Sequence, residues 1–147
     1  MKMMNKSIFV DTNILVYATA KSSPLHLKAQ QILSQYLSSN TDLWISRQII
    51  REYIATLSRS QSFSNPVSAS QLAADIHKFS QIFSIADDND QVTQNLLNLV
   101  QNHQVMGKRI HDANIVATML AYNVTNLITH NVSDFNGFSS SITIIPL

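Results

Sequence analysis

Ser7-Ile8-Phe9-Val10-Asp11-Thr12-Asn13 is a β-rich apolar run that ends on a carboxylate, followed by two side chains able to orient it. In an open α/β sheet the ligand crevice lies outside the carboxyl ends of the strands, so an aspartate closing the first strand points to where chemistry is done. The rest of the chain supports such a sheet. Strand-like runs fall at about 7–11, 42–45, 82–86, 126–130 and 141–145, and helical patterns at about 25–39, 46–60, 68–80, 89–104 and 111–122. Strands separated by helices argue for an α/β fold with a mostly parallel sheet and helices on both faces. Neither an internal repeat nor a long linker interrupts the 147 residues, which form one expected domain over 1–147, large enough to bury a proper core. The most loop-like stretch is Ser60 to Ser70, with Asn65-Pro66 inside it.

Three more of the nine acids sit in restrictive settings. Glu52, the sole glutamate, lies in Ile49-Ile50-Arg51-Glu52-Tyr53-Ile54-Ala55-Thr56-Leu57, on the flank of a core-facing helical stripe. Asp112 lies in Arg109-Ile110-His111-Asp112-Ala113-Asn114-Ile115-Val116-Ala117, where apolar residues almost surround the helix. A carboxylate on a buried helix must be paired or coordinated. Asp134 follows Leu127-Ile128-Thr129-His130-Asn131, a short strand feeding a polar loop. Taken singly, Asp11 fits a turn or a helix N-cap, Glu52 a half-exposed helix residue, Asp112 a buried ion pair and Asp134 a loop carboxylate. Together, two follow strands and two lie on helices that an α/β sheet packs beside those strands.

Two carboxylates about 5 Å apart repel by roughly 3 kcal/mol at an effective dielectric near 20, so several in one pocket call for a cation. Oxygen donors without cysteine select a hard ion, Mg²⁺ or Mn²⁺ before zinc. The five histidines show neither HxxxH nor HxH spacing, and only His111, beside Asp112, is of interest.

The order Val-Asp-Thr-Asn-Ile-Leu at 10–15, helical Glu52, Arg-Ile-His-Asp-Ala-Asn-Ile-Val-Ala-Thr at 109–118 and Leu-Ile-Thr-His-Asn-Val-Ser-Asp-Phe at 127–135 resembles the PIN-domain ribonucleases. Within them it is most similar to the VapC-like toxins of bacterial toxin–antitoxin pairs. The resemblance runs from the first strand to Ile142-Thr143-Ile144-Ile145-Pro146. It implies a three-layer α/β/α fold and a metal-dependent endoribonuclease acting on RNA in the cytoplasm, with an antitoxin partner and a homodimer. It implies that Asp11 and Asp112 hold Mg²⁺ or Mn²⁺ and that Glu52 and Asp134 complete the catalytic set, with Thr12, Asn13 and Thr129 orienting these groups. One departure stands out: many members carry an aspartate where this chain has Asn131, a neutral ligand at best, and Asp134 comes three residues later.

The formal net charge is +1. With four of the nine acids assigned to a pocket, five remain against ten lysines and arginines, leaving a modestly basic surface for phosphates. Lys2, Lys6 and most of the others read as solvated surface; Arg51 and Arg109, each within three residues of a candidate ligand, are the expected RNA contacts. The absence of cysteine excludes disulfides and thiolate metal sites. Lys2 and Lys6 before an apolar stretch ending in Ala18-Thr19-Ala20 imitate a signal peptide, but Asp11 and Asn13 interrupt the apolar core, and no run approaches the roughly 20 residues needed to cross a bilayer. Asp87-Asp88-Asn89-Asp90 lacks the glycine and closing glutamate of a calcium loop and reads as a helix start.

Three further readings stay open on sequence grounds: a non-catalytic RNA- or protein-binding domain with the same fold, a housekeeping RNA-processing nuclease, and a small-molecule phosphohydrolase. The last favours a second aspartate two residues after the first, where this chain has Asn13.

Overall fold

The structure, a computed structural model, describes residues 6–59 and 67–147. Lys2 and residues 60–66 of the expected loop, with the last residue of the helical pattern over 46–60, lie outside the described residues. Five strands, β1 (Ser7–Val10), β2 (Asp42–Ser46), β3 (Ser84–Ala86), β4 (Asn126–Thr129) and β5 (Thr143–Pro146), form one sheet in the order β3-β2-β1-β4-β5. Every pairing is parallel. The chain steps outward from β1 to β2 and β3, then returns to β4 on the other side of β1. With right-handed crossovers this reversal puts helices on opposite faces of the sheet, which makes the fold an α/β structure of three layers.

The helices are α1 (Thr12–Thr19), α2 (His26–Ser38), α3 (Arg47–Leu57), α4 (Ala69–Ile82), α5 (Asp90–His103), α6 (Arg109–Ala121) and α7 (Val132–Phe135), the last running into a 3₁₀ turn at Asn136–Phe138. Ser46, Ser68 and Asn89 accept from the backbone N–H three residues on and cap α3, α4 and α5, satisfying donors that a helix start leaves orphaned. Asn89 with Asp90 in the first turn makes the acidic run the start of α5. In α6 the buried residues Ala113, Ile115, Val116, Ala117, Thr118 and Met119 span most of the circumference, as the sequence anticipates.

Two expectations are corrected. No element was expected between the first strand and residue 25, yet α1 fills 12–19. Its run Ile14-Leu15-Val16 is apolar without a break, and periodicity cannot tell such a run from a strand or a loop edge; the Asp11 side chain, accepting from Thr12 N at 2.8 Å, is what starts the helix. The polar loop expected after β4 instead turns into α7, because Phe135 is buried and pulls the segment onto the core. Boundaries also move: α4 runs on to Ile82, so β3 begins at Ser84, and α6 begins at Arg109.

The core is built from Ile8, Phe9 and Val10 of β1, Leu43 and Ile45 of β2, Leu127 and Ile128 of β4, and helix residues such as Ile14, Ile49, Val92 and Val116. Buried Tyr53 adds a polar tie: its hydroxyl lies 2.9 Å from Asp75 of α4 and 3.0 Å from Thr19 of α1. That tie braces α1 and α3, two of the helices that line the cleft described next, against α4.

Candidate active site

The sheet order reverses at β1, so the crevice expected of an open α/β fold opens between the carboxyl ends of β1 and β4. Asp11 ends β1 there, and its backbone N–H donates to Ile128 O at 3.0 Å. A cleft of about 420 Å³ lies over this point, lined by Asp11, Thr12, Asn13, Val16, Tyr17, Glu52, Ala55, Thr56, Arg59, Asp112, Ile115 and Asn131.

Hydrogen bonds hold two of the acids in place. Asp11 Oδ1 accepts from Thr12 N, while Oδ2 accepts from Thr129 Oγ1 at 2.8 Å and Asn13 Nδ2 at 3.1 Å. Thr129 in turn accepts from Asn131 N at 3.0 Å, and Asn13 Oδ1 accepts from His130 N at 3.2 Å. Glu52 Oε2 accepts from Thr12 Oγ1 at 2.7 Å and Oε1 from Gln48 Nε2 at 2.9 Å. Gln48 Nε2 also reaches His111 O at 2.9 Å, and its Oε1 accepts from Asn114 Nδ2 at 2.8 Å. Through Gln48 the helix carrying Glu52 is tied to the helix carrying Asp112. Asp112 itself is half-buried, and its carboxylate accepts no hydrogen bond from the described residues.

The charges feel one another. Burial pushes the Asp11 carboxyl up to about 6, against the hydrogen bonds from Thr129 and Thr12, and Glu52 adds repulsion. Asp112 also rises to about 6, from burial first and then repulsion by Asp134, Asp11 and Glu52. Both carboxyls therefore hold protons in the folded chain from about pH 4 to 6, where an unfolded aspartate near 3.8 has released them. Where the native state binds more protons, the free energy of unfolding falls as pH rises. The metal-free protein is thus expected to unfold at lower urea concentration at pH 7.5 than at pH 5.5, and a divalent cation should shrink the difference by competing with the protons. A midpoint that rises steadily over this range without metal would contradict the assignment.

Among the described residues, no three His, Cys, Asp or Glu side chains are drawn together into a ready-made metal cage. The donor chemistry still fits a hard divalent ion. Every donor at the cleft floor is oxygen, Asp112 is uncommitted, and the partly desolvated charge is not offset by a salt bridge among the described residues, whose one ion pair is the exposed Arg47–Asp87 contact. Mg²⁺ keeps several waters and takes one or two carboxylates in place of a full protein cage, so two carboxylates such as Asp11 and Asp112 would fit its needs.

Of the residues expected from sequence, Asp11, Thr12, Asn13, Glu52, Asp112 and Asn131 line the cleft, and Thr129 lies beneath Asp11. Asp134 sits exposed in the first turn of α7, outside the lining, although its charge still reaches Asp112. Arg51 is exposed and lies off the cleft-lining face of α3. Arg109 begins α6 and lies against Gly137, whose missing Cβ would stand 3.2 Å from the guanidinium. Sequence reasoning overlooked Gln48 and Asn114 as positioning residues and Arg59 and Tyr17 as lining. Gln48 was within reach, since it stands four residues before Glu52 on one helix face.

No curated protein sequence matches the chain significantly. Solved structures share its fold. A chain of VapBC2 from Rickettsia felis, in a complex with a promoter DNA fragment, superposes with a TM-score of 0.63 at 20% identity, covering 96% of this chain and 98% of that one. VapBC-1 from nontypeable Haemophilus influenzae gives 0.66 at 21%, over 95% and 97%. The sarcin–ricin loop cleaving toxin VapC20 of Mycobacterium tuberculosis gives 0.66 at 14%, over 95% and 99%. The family model of the PIN domain matches residues 8–136, a span that takes in β1 to β4 and all four candidate acids, and the chain belongs to that family.

Proposed function

We propose that this chain is a Mg²⁺- or Mn²⁺-dependent endoribonuclease, the toxin of a toxin–antitoxin pair. The observation that carries the reading is the meeting of Asp11, Glu52 and Asp112 in one cleft at the sheet's switch point, with Glu52 held by Thr12 and Gln48 and Asp112 left uncommitted. Asp11 and Asp112 would hold the cation, and Asn131 offers a neutral oxygen beside them. A divalent ion bound there supplies Lewis acidity, which lowers the pKa of water and offsets charge building on the phosphate.

The chain's own groups do the rest. Glu52, oriented at both carboxylate oxygens, takes the proton from the attacking water or aligns that water with the phosphorus. Thr129 and Asn13 keep the Asp11 carboxylate turned toward the cleft. Asp134 adds negative charge from the rim and strengthens cation binding from a distance.

That similar folds belong to toxin–antitoxin complexes supports an antitoxin that covers this cleft, and a VapC20-like fold supports RNA as substrate. A homodimer and a cytoplasmic setting belong to the same reading; no helix among the described residues is long and apolar enough to cross a membrane. The Asn131 departure keeps one rival, a non-catalytic RNA-binding domain of the same fold. Chelation decides between them. Excess EDTA is expected to abolish cleavage of RNA by the purified protein, and Mg²⁺ or Mn²⁺ to restore it. Undiminished cleavage in EDTA rules out the metal mechanism, and no cleavage with either metal favours the rival.

A further inference from the structure

The cleft is graded along its length, and each of three helices contributes to the gradient. Thr12 and Asn13 of α1 give way one turn later to Val16 and Tyr17; Glu52 of α3 gives way to Ala55, Thr56 and then Arg59; Asp112 of α6 gives way to Ile115. Arg59 stands two residues beyond the end of α3 at Leu57, past the Ser58 cap, and lines the same cleft as Glu52. Between the acidic floor and this guanidinium lies an apolar wall, and its one aromatic ring is held in place: Tyr17 packs edge-on against His130 at 5.6 Å and 83°. Helix α2 fixes the backbone at this point, where His26 Nδ1 lies 2.9 Å from the Tyr17 carbonyl oxygen.

An all-acidic cleft would serve a cation alone. A cation site continued by an apolar wall with a fixed aromatic ring, and ended by an arginine, matches the alternation of phosphate, base and next phosphate along a nucleic-acid strand. A base takes that wall only when it is free of its own stack and pair, because inside a duplex both of its faces are covered. Arg59 suits the second phosphate because its planar fork of donors meets phosphate oxygens in pairs.

We infer that the wall of Val16, Tyr17, Ala55 and Ile115 is a nucleobase subsite and that Arg59 binds the phosphate flanking that base. The inference rests on the nuclease reading for the position of the scissile phosphate, but it is tested by binding. The probe is a fluorescein-labelled single-stranded RNA octamer, compared with the same octamer carrying one central abasic site and with a blunt RNA duplex. Fluorescence anisotropy is read with Ca²⁺ in place of Mg²⁺, because the looser coordination of Ca²⁺ holds the strand without arranging a water as Mg²⁺ does.

Tyr17→Ala is expected to weaken octamer binding about tenfold, and much less for the abasic strand, in line with the stacking contribution of one base. Arg59→Ala should weaken both strands alike and flatten the salt dependence by roughly one phosphate contact, with partial recovery in Arg59→Lys. The duplex should bind more weakly than the octamer. Mn²⁺ affinity by calorimetry and the melting temperature should be unchanged in Tyr17→Ala, which separates lost stacking from lost structure. Equal affinities of parent, Tyr17→Ala and Arg59→Ala for all three RNAs overturn the inference and leave the wall to another occupant, such as an apolar side chain of a protein partner. Base-dependent binding in a protein that cleaves no RNA would sustain the subsite while sinking the nuclease reading.

Discussion

Asp112→Asn should abolish RNA cleavage, with a loss beyond the roughly 10–100-fold typical when a group supporting a metal ligand is removed, and should raise the melting temperature of the metal-free protein. The two effects have one cause. Asp112 brings a full charge to a half-buried position that no hydrogen bond from the described residues supports, and Asp134, Asp11 and Glu52 all repel it. A rise from 3.8 to about 6 corresponds to roughly 3 kcal/mol of strain in the charged form if taken at face value. Solvent screens a group this exposed, so about 1 kcal/mol is the better expectation, or about 2–4 °C for a domain of this size. The asparagine keeps shape and removes charge, so folding gains and cation binding loses. Circular dichroism melts in EDTA, beside calorimetric titration with Mn²⁺ and cleavage rates, check both halves. A variant that melts well below the parent without metal would mean that Asp112 is held by a structural partner and is not a ligand in waiting.

The second large effect is expected at the departure from the family pattern. Asn131 lines the cleft, and its backbone N–H is tied to Thr129 beneath Asp11, whereas Asp134 stands exposed in the first turn of α7, outside the lining, and acts on Asp112 by charge. Asn131→Asp therefore puts a charged oxygen beside the same cation as Asp11 and Asp112, and should raise Mn²⁺ affinity about tenfold or more, since roughly 1.4 kcal/mol of added attraction is enough. Asp134→Asn should lower it only modestly, because a rim charge acts through water and is weakened by salt. Calorimetric titrations of the two variants at low and moderate salt distinguish these roles. If Asp134→Asn costs far more than Asn131→Asp gains, the α7 carboxylate swings into the cleft and has taken over the ligand position.

The site belongs to a fold whose main lines can be read locally. Apolar runs at 7–11 and 126–130, each ending on polar residues, already say parallel strands with a crevice at their carboxyl ends. Nine acids without cysteine, and one glutamate on a helix, already point to oxygen ligation of a hard ion. Strand ends and donor chemistry are properties of contiguous residues and of composition, and both survive without knowledge of packing. Helix α1 was illegible for the opposite reason: an unbroken apolar stretch carries no period, and its start depends on the Asp11 cap.

What the tertiary structure alone decides is which side chains meet. Thr129 reaches Asp11 across 118 residues, Thr12 reaches Glu52 across 40, and Gln48 reaches Asn114 across 66. Proximity in sequence chose Arg51 and Arg109 as the cations of the site, but on a helix one residue of displacement is a turn of about 100°, and it carries Arg51 off the face that holds Glu52. Arg59, two residues past the end of that helix, lines the cleft instead. Asn131 and Asp134 could not be ranked in sequence, since three residues of chain can direct a carboxylate inward or outward. Phe135 buries itself in the core and turns the segment into α7, which puts Asn131 in the cleft lining and Asp134 outside it, within electrostatic reach of Asp112.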